Sequence, residues 1–303
     1  MANFYESNFK LDMHGTSAAD AFNAGLGNDT IWGGFGSDVV NGGSGDDTIH
    51  ATTYAAQPFV GPWGNDVVYG GVGNDFIDYA NTTSNVVLYG DNAQWSRQDG
   101  NDTIVSGSGN DWIYGGGGND VISGGAGNDV IYGDMPISRT GGNDVIFGGD
   151  GRDTIYGGAG NDTIWGNSGV DFMYGGSGAD TFKFNAGDTG LHYADADVIY
   201  DFHPSSDRGF PTGDTIDFTT MEKGTSSNFD HKAIINIHGS DAAEYANALG
   251  TANAEETVNP NLKYVFVTDG QNGWLFADTN GDHHLDAGIE LRGVTDMHYW
   301  NVV

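Results

Sequence analysis

The chain has 303 residues, with 51 Gly but only 6 Pro, so neither a collagen repeat nor a Pro-rich linker fits. Its 42 acids against 10 Lys+Arg leave a net charge of −32, which repels nucleic acid and excludes it as a partner. There is no Cys, and no run of about 18 apolar residues that could span a membrane.

Of the acids, 36 are Asp and 6 are Glu. Glu suits helix surfaces, whereas Asp suits turns and metal loops, so the bias argues against a helical protein. High net charge favours disorder, yet 38% of the residues are hydrophobic and 12% aromatic. A cation that neutralises the Asp reconciles the two. The first thirty residues carry one Lys and no apolar stretch, so no cleaved N-terminal secretion signal is expected.

After a lead segment, 1–14, a nine-residue unit runs from Gly15 to Lys183, with GGSGDDTIH (42–50), GGAGNDVIY (124–132) and GGAGNDTIW (157–165) among its clean copies. Its sixth position is Asp20, Asp29, Asp38, Asp47, Asp66, Asp75, Asp102, Asp111, Asp120, Asp129, Asp144, Asp153, Asp162, Asp171 and Asp180. The pattern G-G-x-G-x-D-x-U-x is that of a calcium-binding parallel β-helix. Six residues make a turn rich in exposed carbonyls, and three make a strand whose middle residue, such as Ile31, Ile113, Ile131 or Ile164, points inward. Two units form one coil, so equivalent turns recur every 18 residues and stack at about 4.8 Å. Stacked carboxylates repel by about 3 kcal/mol per pair at an effective dielectric of 20. Several such pairs exceed the ~5–15 kcal/mol of a typical domain, so the coil is expected to need a hard divalent ion.

Three turns are stretched, within Ala51–Tyr69, Gly90–Val105 and Gly133–Phe147. Arg97 and Arg139 in the second and third are expected on one rim, neutralising its acids or meeting a partner. Tyr79–Tyr89 lacks the Gly-Asp turn, so one metal site is expected to be missing there. The ninth position of alternate units gives a row, Tyr69, Tyr89, Tyr114, Tyr132, Tyr156 and Tyr174, that either shields the turns or forms a contact face for sugar or protein.

Beyond Lys183 the unit stops, and 184–303 is expected to be a capping and secretion-signal domain. DADVIYDFHP (195–204) and GDTIDFTT (213–220) suggest strands, Ser240–Leu249 a helix, and KYVFVTDG, NGWLFADT and AGIELRGV antiparallel strands. Asp278, Asn280, Asp282 and Asp286 have the spacing that opens an EF-hand loop. However, Gly281 comes at the fourth position, and Glu290 one place late, so calcium there stays open. The expected fold is all-β: a parallel β-roll over 15–183 with a C-terminal β-rich cap.

These nonapeptides resemble the RTX (repeats-in-toxin) family of bacterial proteins exported by type I systems. GADTFKFNAGDTG, ADVIYDF and GDTIDF resemble the C-terminal flank of serralysin-like proteases and alginate epimerases. The resemblance implies a chain that leaves the cell unfolded through an uncleaved C-terminal signal and folds outside on several Ca²⁺ ions. Neither an HExxH nor a G-x-S-x-G motif is present, and only fourteen residues precede the first repeat, so no enzyme activity is expected. Two roles remain open. One is a structural protein of a surface layer, filament, matrix or adhesive contact that self-associates; the other is a polysaccharide-binding module beside an extracellular enzyme.

Overall fold

The computed structural model describes residues 3–4, 10–51, 64–92, 100–135, 141–191, 194–204, 213–219, 229–233, 241–258, 263–269, 271–280, 282, 284–297 and 301–302. Arg97 and Arg139 lie outside the described residues, as does most of the first insertion.

Successive strands alternate between two sheets, so each strand pairs in parallel with the next but one. Ile31 registers with Ile49, Ile113 with Ile131 and Ile146 with Ile164, the 18-residue return of a two-unit coil. Among the described residues one sheet has fourteen strands and the other ten. Because alternate side chains point to opposite faces, the eighth position turns inward from both sheets. Val40, Val68, Leu88, Ile113, Ile131, Ile155 and Met173 face Ile49, Ile77, Ile104, Ile122, Ile146, Ile164 and Phe182 in one core cluster, all of them sealed from solvent.

The strands are longer than the three residues expected. Val121–Ala126 and Val145–Gly151 run on through their glycine pairs, where Gly125 registers with Gly149. The glycines can do this because the chain there takes a conformation that other residues adopt rarely: φ is 98° at Gly125 and 132° at Gly127, and Asn167 alone of the described non-glycines has a positive φ. A Cβ on Gly127 would also strike the carbonyl of Gly109 in the coil below. The ladder therefore continues into what the sequence pattern marks as turn.

The expected cap prolongs both sheets of the roll, and in the ten-stranded one Thr215–Phe218 pairs in parallel with Thr181–Phe184. Asp197–Ile199 pairs in parallel with the last coil and then with Ala287–Leu291, from which Gly273–Ala277 and Tyr264–Thr268 continue antiparallel. The helix spans Asp241–Val258, nine residues beyond its expected end. Ala248 and Ala252, one turn apart, are fully buried in a second core with Val265, Val267, Trp274 and Phe276. That burial outweighs the roughly 1 kcal/mol that Gly250 costs in mid-helix.

Ile146→Ala removes a sealed core side chain and is expected to destabilise the calcium-loaded protein by about 2–5 kcal/mol in chemical denaturation. Val121→Ala, on the outer face at 42% exposure, should cost less than about 0.5 kcal/mol. Equal losses would contradict the inward assignment.

Candidate metal centre

The sixth-position Asp of every unit sits where the turn re-enters a strand, and the roll has two such edges. The first edge leads into the fourteen-stranded sheet and carries Asp20, Asp38, Asp66, Asp111, Asp129, Asp153 and Asp171. The second leads into the ten-stranded sheet and carries Asp29, Asp47, Asp75, Asp102, Asp120, Asp144, Asp162 and Asp180. All fifteen are buried, with exposures of 4% or less.

Each carboxylate has divided duties. Outside Asp20, Asp29 and Asp111, Oδ1 accepts the backbone N–H of the equivalent Asp one coil earlier, at 2.7–2.9 Å, as in Asp102 to Asp120, Asp120 to Asp144 and Asp144 to Asp162. On the first edge Asp111, Asp129 and Asp153 donate in the same way to Asp129, Asp153 and Asp171. The other oxygen, Oδ2, is buried and accepts no hydrogen bond in Asp29, Asp38, Asp47, Asp75, Asp120, Asp129, Asp144, Asp153, Asp162, Asp171 and Asp180. A buried oxygen left in that state costs about 1–3 kcal/mol, and more when charged.

These orphaned oxygens share a cradle. A Cβ added to Gly115 would meet Asp120 Oδ2 and the Gly133 carbonyl; one added to Gly133 would meet Asp144 Oδ2 and the Gly157 carbonyl. The first glycine of each unit thus keeps open a space flanked by a carboxylate oxygen and a carbonyl of the next coil. Among the described residues no three His, Cys, Asp or Glu side chains converge on one point, so main-chain carbonyls must complete any coordination shell. Oxygen-only, partly anionic and open, the cradles fit Ca²⁺. The ion would supply the positive charge between coils that the protein itself does not provide.

Burial disfavours the charged form. It pushes the Asp75, Asp120, Asp129, Asp144 and Asp171 carboxyls from 3.8 up to about 8, neighbouring carboxylates adding to the effect and backbone N–H donors opposing it. Asp38, Asp47, Asp162 and Asp180 rise to about 7, and Asp66 and Asp153 to about 6.

The ladders run further than the nonapeptides. Asp197 accepts the N–H of Asp171 at 2.8 Å and Asp214 that of Asp180 at 2.9 Å, so both extend the edges into the cap. Their returns of 26 and 34 residues break the nine-residue spacing, although D-V-I-Y and D-T-I-D keep the local pattern. The EF-hand-like residues are spent separately: Asn280 accepts the Asp282 N–H, Asp282 the His284 N–H, and Asp286 the Thr279 N–H, each at 2.8–2.9 Å.

The six tyrosines form a column of parallel rings, with centroids 4.6–5.1 Å apart from Tyr69 to Tyr174. Tyr200 joins it as a seventh ring at 4.8 Å, and the Arg292 guanidinium lies 5.4 Å over Tyr200. Each inner ring therefore has both faces covered by its neighbours, leaving edges and hydroxyls outward.

Carboxyls raised from 3.8 to about 7–8 stabilise the ion-free roll below their unfolded value, and that contribution is lost as pH rises through 7–8. In chelator, far-UV circular dichroism should show β structure returning as pH falls from about 8 towards 5, while the calcium midpoint climbs over the same window. An ion-free chain that loses structure on acidification would contradict the burial. At fixed pH, Asp120→Asn and Asp129→Asn should each raise the calcium midpoint clearly. Asp188→Asn should do less, since Asp188 is engaged locally by the Asn185 backbone N–H at 2.7 Å.

The RTX calcium-binding nonapeptide repeat (4 copies) matches residues 14–49, 63–81, 98–133, 140–173, 147–182 and 161–189. Curated proteins give no match. Among solved structures, the AlgE6R3 subunit of the Azotobacter vinelandii mannuronan C5-epimerase is 24% identical, with 62% of this chain and 80% of that chain covered and a TM-score of 0.29. The matched segments coincide with the coils that carry the two Asp ladders, and over them the chain carries RTX calcium-binding nonapeptide repeats, a repeat type that binds multiple Ca²⁺ ions.

Proposed function

We propose that this chain is a secreted structural protein whose roll closes on calcium outside the cell and then serves in a surface layer, filament, matrix or adhesive contact. RTX repeats are generally structural calcium-binding modules and are typical of extracellular proteins. The observation that carries the proposal is the run of orphaned Oδ2 atoms along both edges, a charge problem that abundant free calcium would solve at neutral pH. Extracellular calcium modules work at about 10⁻⁴–10⁻³ M, which suits a chain exported unfolded by a type I system and ordered on arrival.

In this reading 15–183 is the roll, 184–303 its cap and secretion signal, and 1–14 a lead. The sixth-position Asp residues hold the ions through Oδ2 and first-glycine carbonyls supply further ligands. No catalytic role is assigned to any residue.

Assembly is favoured over sugar binding by the tyrosine column. Sugar rings bind aromatic faces, and from Tyr89 to Tyr174 those faces are already occupied by one another. Large apolar side chains meanwhile stand open on the outer faces, with Leu26 at 51%, Val39 at 49% and Trp112 at 49% exposure. Calcium can also bridge acidic surfaces of neighbouring copies.

Sedimentation velocity across a calcium titration tests the proposal. The protein should be an expanded monomer in chelator and a folded, associating species in millimolar calcium. Changing Tyr114, Tyr132 and Tyr156 together to Ser removes five ring contacts, four stacked and one tilted, of about 0.5–1.5 kcal/mol each and should lower stability as well as association. A wild-type protein that stays monomeric while folded, yet is retained by a glycan array, would overturn the structural role in favour of the binding module.

A further inference from the structure

The two edges of the roll are chemically unequal. On the first edge the position held by the first glycine elsewhere is taken by Ala51, Tyr79 and Ser106 in three successive coils. Ser106 Oγ donates to Asp111 Oδ2, the oxygen that is orphaned in Asp129, Asp153 and Asp171 further along. Tyr79 is fully buried, and its hydroxyl faces the Asp66 and Asp38 carboxylates. The same coil has Val86 where an Asp belongs, and the Val86 N–H goes to Asp111 Oδ1 at 2.9 Å. Protein hydroxyls here fill the space, and meet the charge, that glycine leaves for an ion in other coils.

Past Ala24, which holds that position before Asp29 at the amino end, the second edge has no such plug. Its first glycines, Gly42, Gly70, Gly90, Gly115, Gly133, Gly157 and Gly175, follow one another without a break. Instead it gains acid. Asp91 and Asp134 stand where other units have their second glycine, in the two turns that carry the second and third insertions. Both are buried, at 6% and 5% exposure. Asp91 Oδ2 accepts the Gly117 N–H at 2.8 Å, and Asp134 Oδ2 the Ala159 N–H at 2.6 Å. In an uninterrupted coil the equivalent amide, Ala126 N–H, goes to a main-chain carbonyl, that of Gly107, at 2.8 Å. Each carboxylate thus mends a ladder that the insertion would break, and it exchanges a carbonyl dipole for a full negative charge. That charge acts on the ladder beside it: Asp91 on Asp75 and Asp120, Asp134 on Asp120, Asp144 and Asp162. The orphaned, nearly inaccessible Oδ2 atoms of Asp75, Asp120, Asp144 and Asp162 open into the cradles of this same stretch.

We infer that calcium loads the two edges unequally: the second edge from Asp75 to Asp162 fills first, drawn by Asp91 and Asp134, while the first edge fills later and never at Asp66 and Asp111, whose cradles Tyr79 and Ser106 close. The inference rests on the proposal that the cradles hold calcium. Asp91 and Asp134 act here as positioning and charge-supplying residues for ions held by their neighbours.

Native mass spectrometry across a calcium titration of the full chain, paired with circular dichroism, tests this. The wild type should take up ions in two resolved steps. Asp91→Asn with Asp134→Asn keeps the amide contacts but loses both charges, and should raise the midpoint of the first step several-fold while leaving the second in place. Ser106→Gly should reopen the Asp111 cradle and bind one ion more than the wild type at saturation. Ser106→Ala, which keeps a methyl in the cradle, should lose stability and gain no ion, separating a vacated site from a merely weakened fold. A single uptake step, or an unchanged ion count in folded Ser106→Gly, would overturn the unequal loading. A folded roll that binds no calcium in any variant would instead overturn the calcium role of the cradles, and this inference with it.

Discussion

The structure depends on one unsolved half of a hydrogen-bonding problem. A turn Asp such as Asp120 or Asp144 uses Oδ1 to lock the coil before it, so it cannot be removed without breaking the stack, and in doing so it buries Oδ2 with nothing to accept from. The interaction that builds the roll is thus the one that charges its interior. Apolar burial in the two-sheet core is real but thin, since each unit contributes a single inward side chain. The free energy of folding in such a stack is set by whatever compensates the carboxylates: a divalent ion, a proton at low pH, or a hydroxyl of the chain.

The effect of the hydroxyl can be read within one molecule. Asp111 and Asp129 are neighbours on the same edge, with Oδ1 accepting the same kind of amide, from Val86 and Asp111 respectively. Only Asp111 has a serine hydroxyl at Oδ2. Correspondingly the Asp129 carboxyl is pushed up to about 8, while the Ser106 hydrogen bond opposes the rise at Asp111. A lapse in the repeat is therefore not a defect in the roll; it is a coil whose neutralising group is covalently attached.

The regular part of this architecture was legible because both of its columns follow one period. A reader who aligns Asp129 must also align Ile131 and Tyr132, and the sheet registers follow. What escaped was everything that depends on space instead of spacing. Asp197, Asp214 and Tyr200 continue the columns after long returns, so no fixed interval finds them. Asp91 and Asp134 look like the first residues of insertions, and nothing in a Gly-to-Asp exchange announces that a carboxylate stands in for a carbonyl. The tyrosine row was evident, but stacking turns its faces inward on one another, which reverses the chemistry it offers to a partner. The helix end was misjudged because Gly250 signals a stop locally, whereas Ala252 finds its burial against strands of the cap.

The cap's continuity with the fourteen-stranded sheet gives the molecule a polarity. Its antiparallel strands are near neighbours in sequence and enclose an aliphatic and aromatic core containing Trp274 and Phe276, so their pairing is local. Ala287–Leu291 then presents an unpaired edge to Asp197–Ile199, which in turn presents one to the last coil. Each coil laid down becomes the template for the one before it in sequence. The stack thus has one end whose sheet edge is already extended by locally paired strands, as a crystal face is extended by a seed.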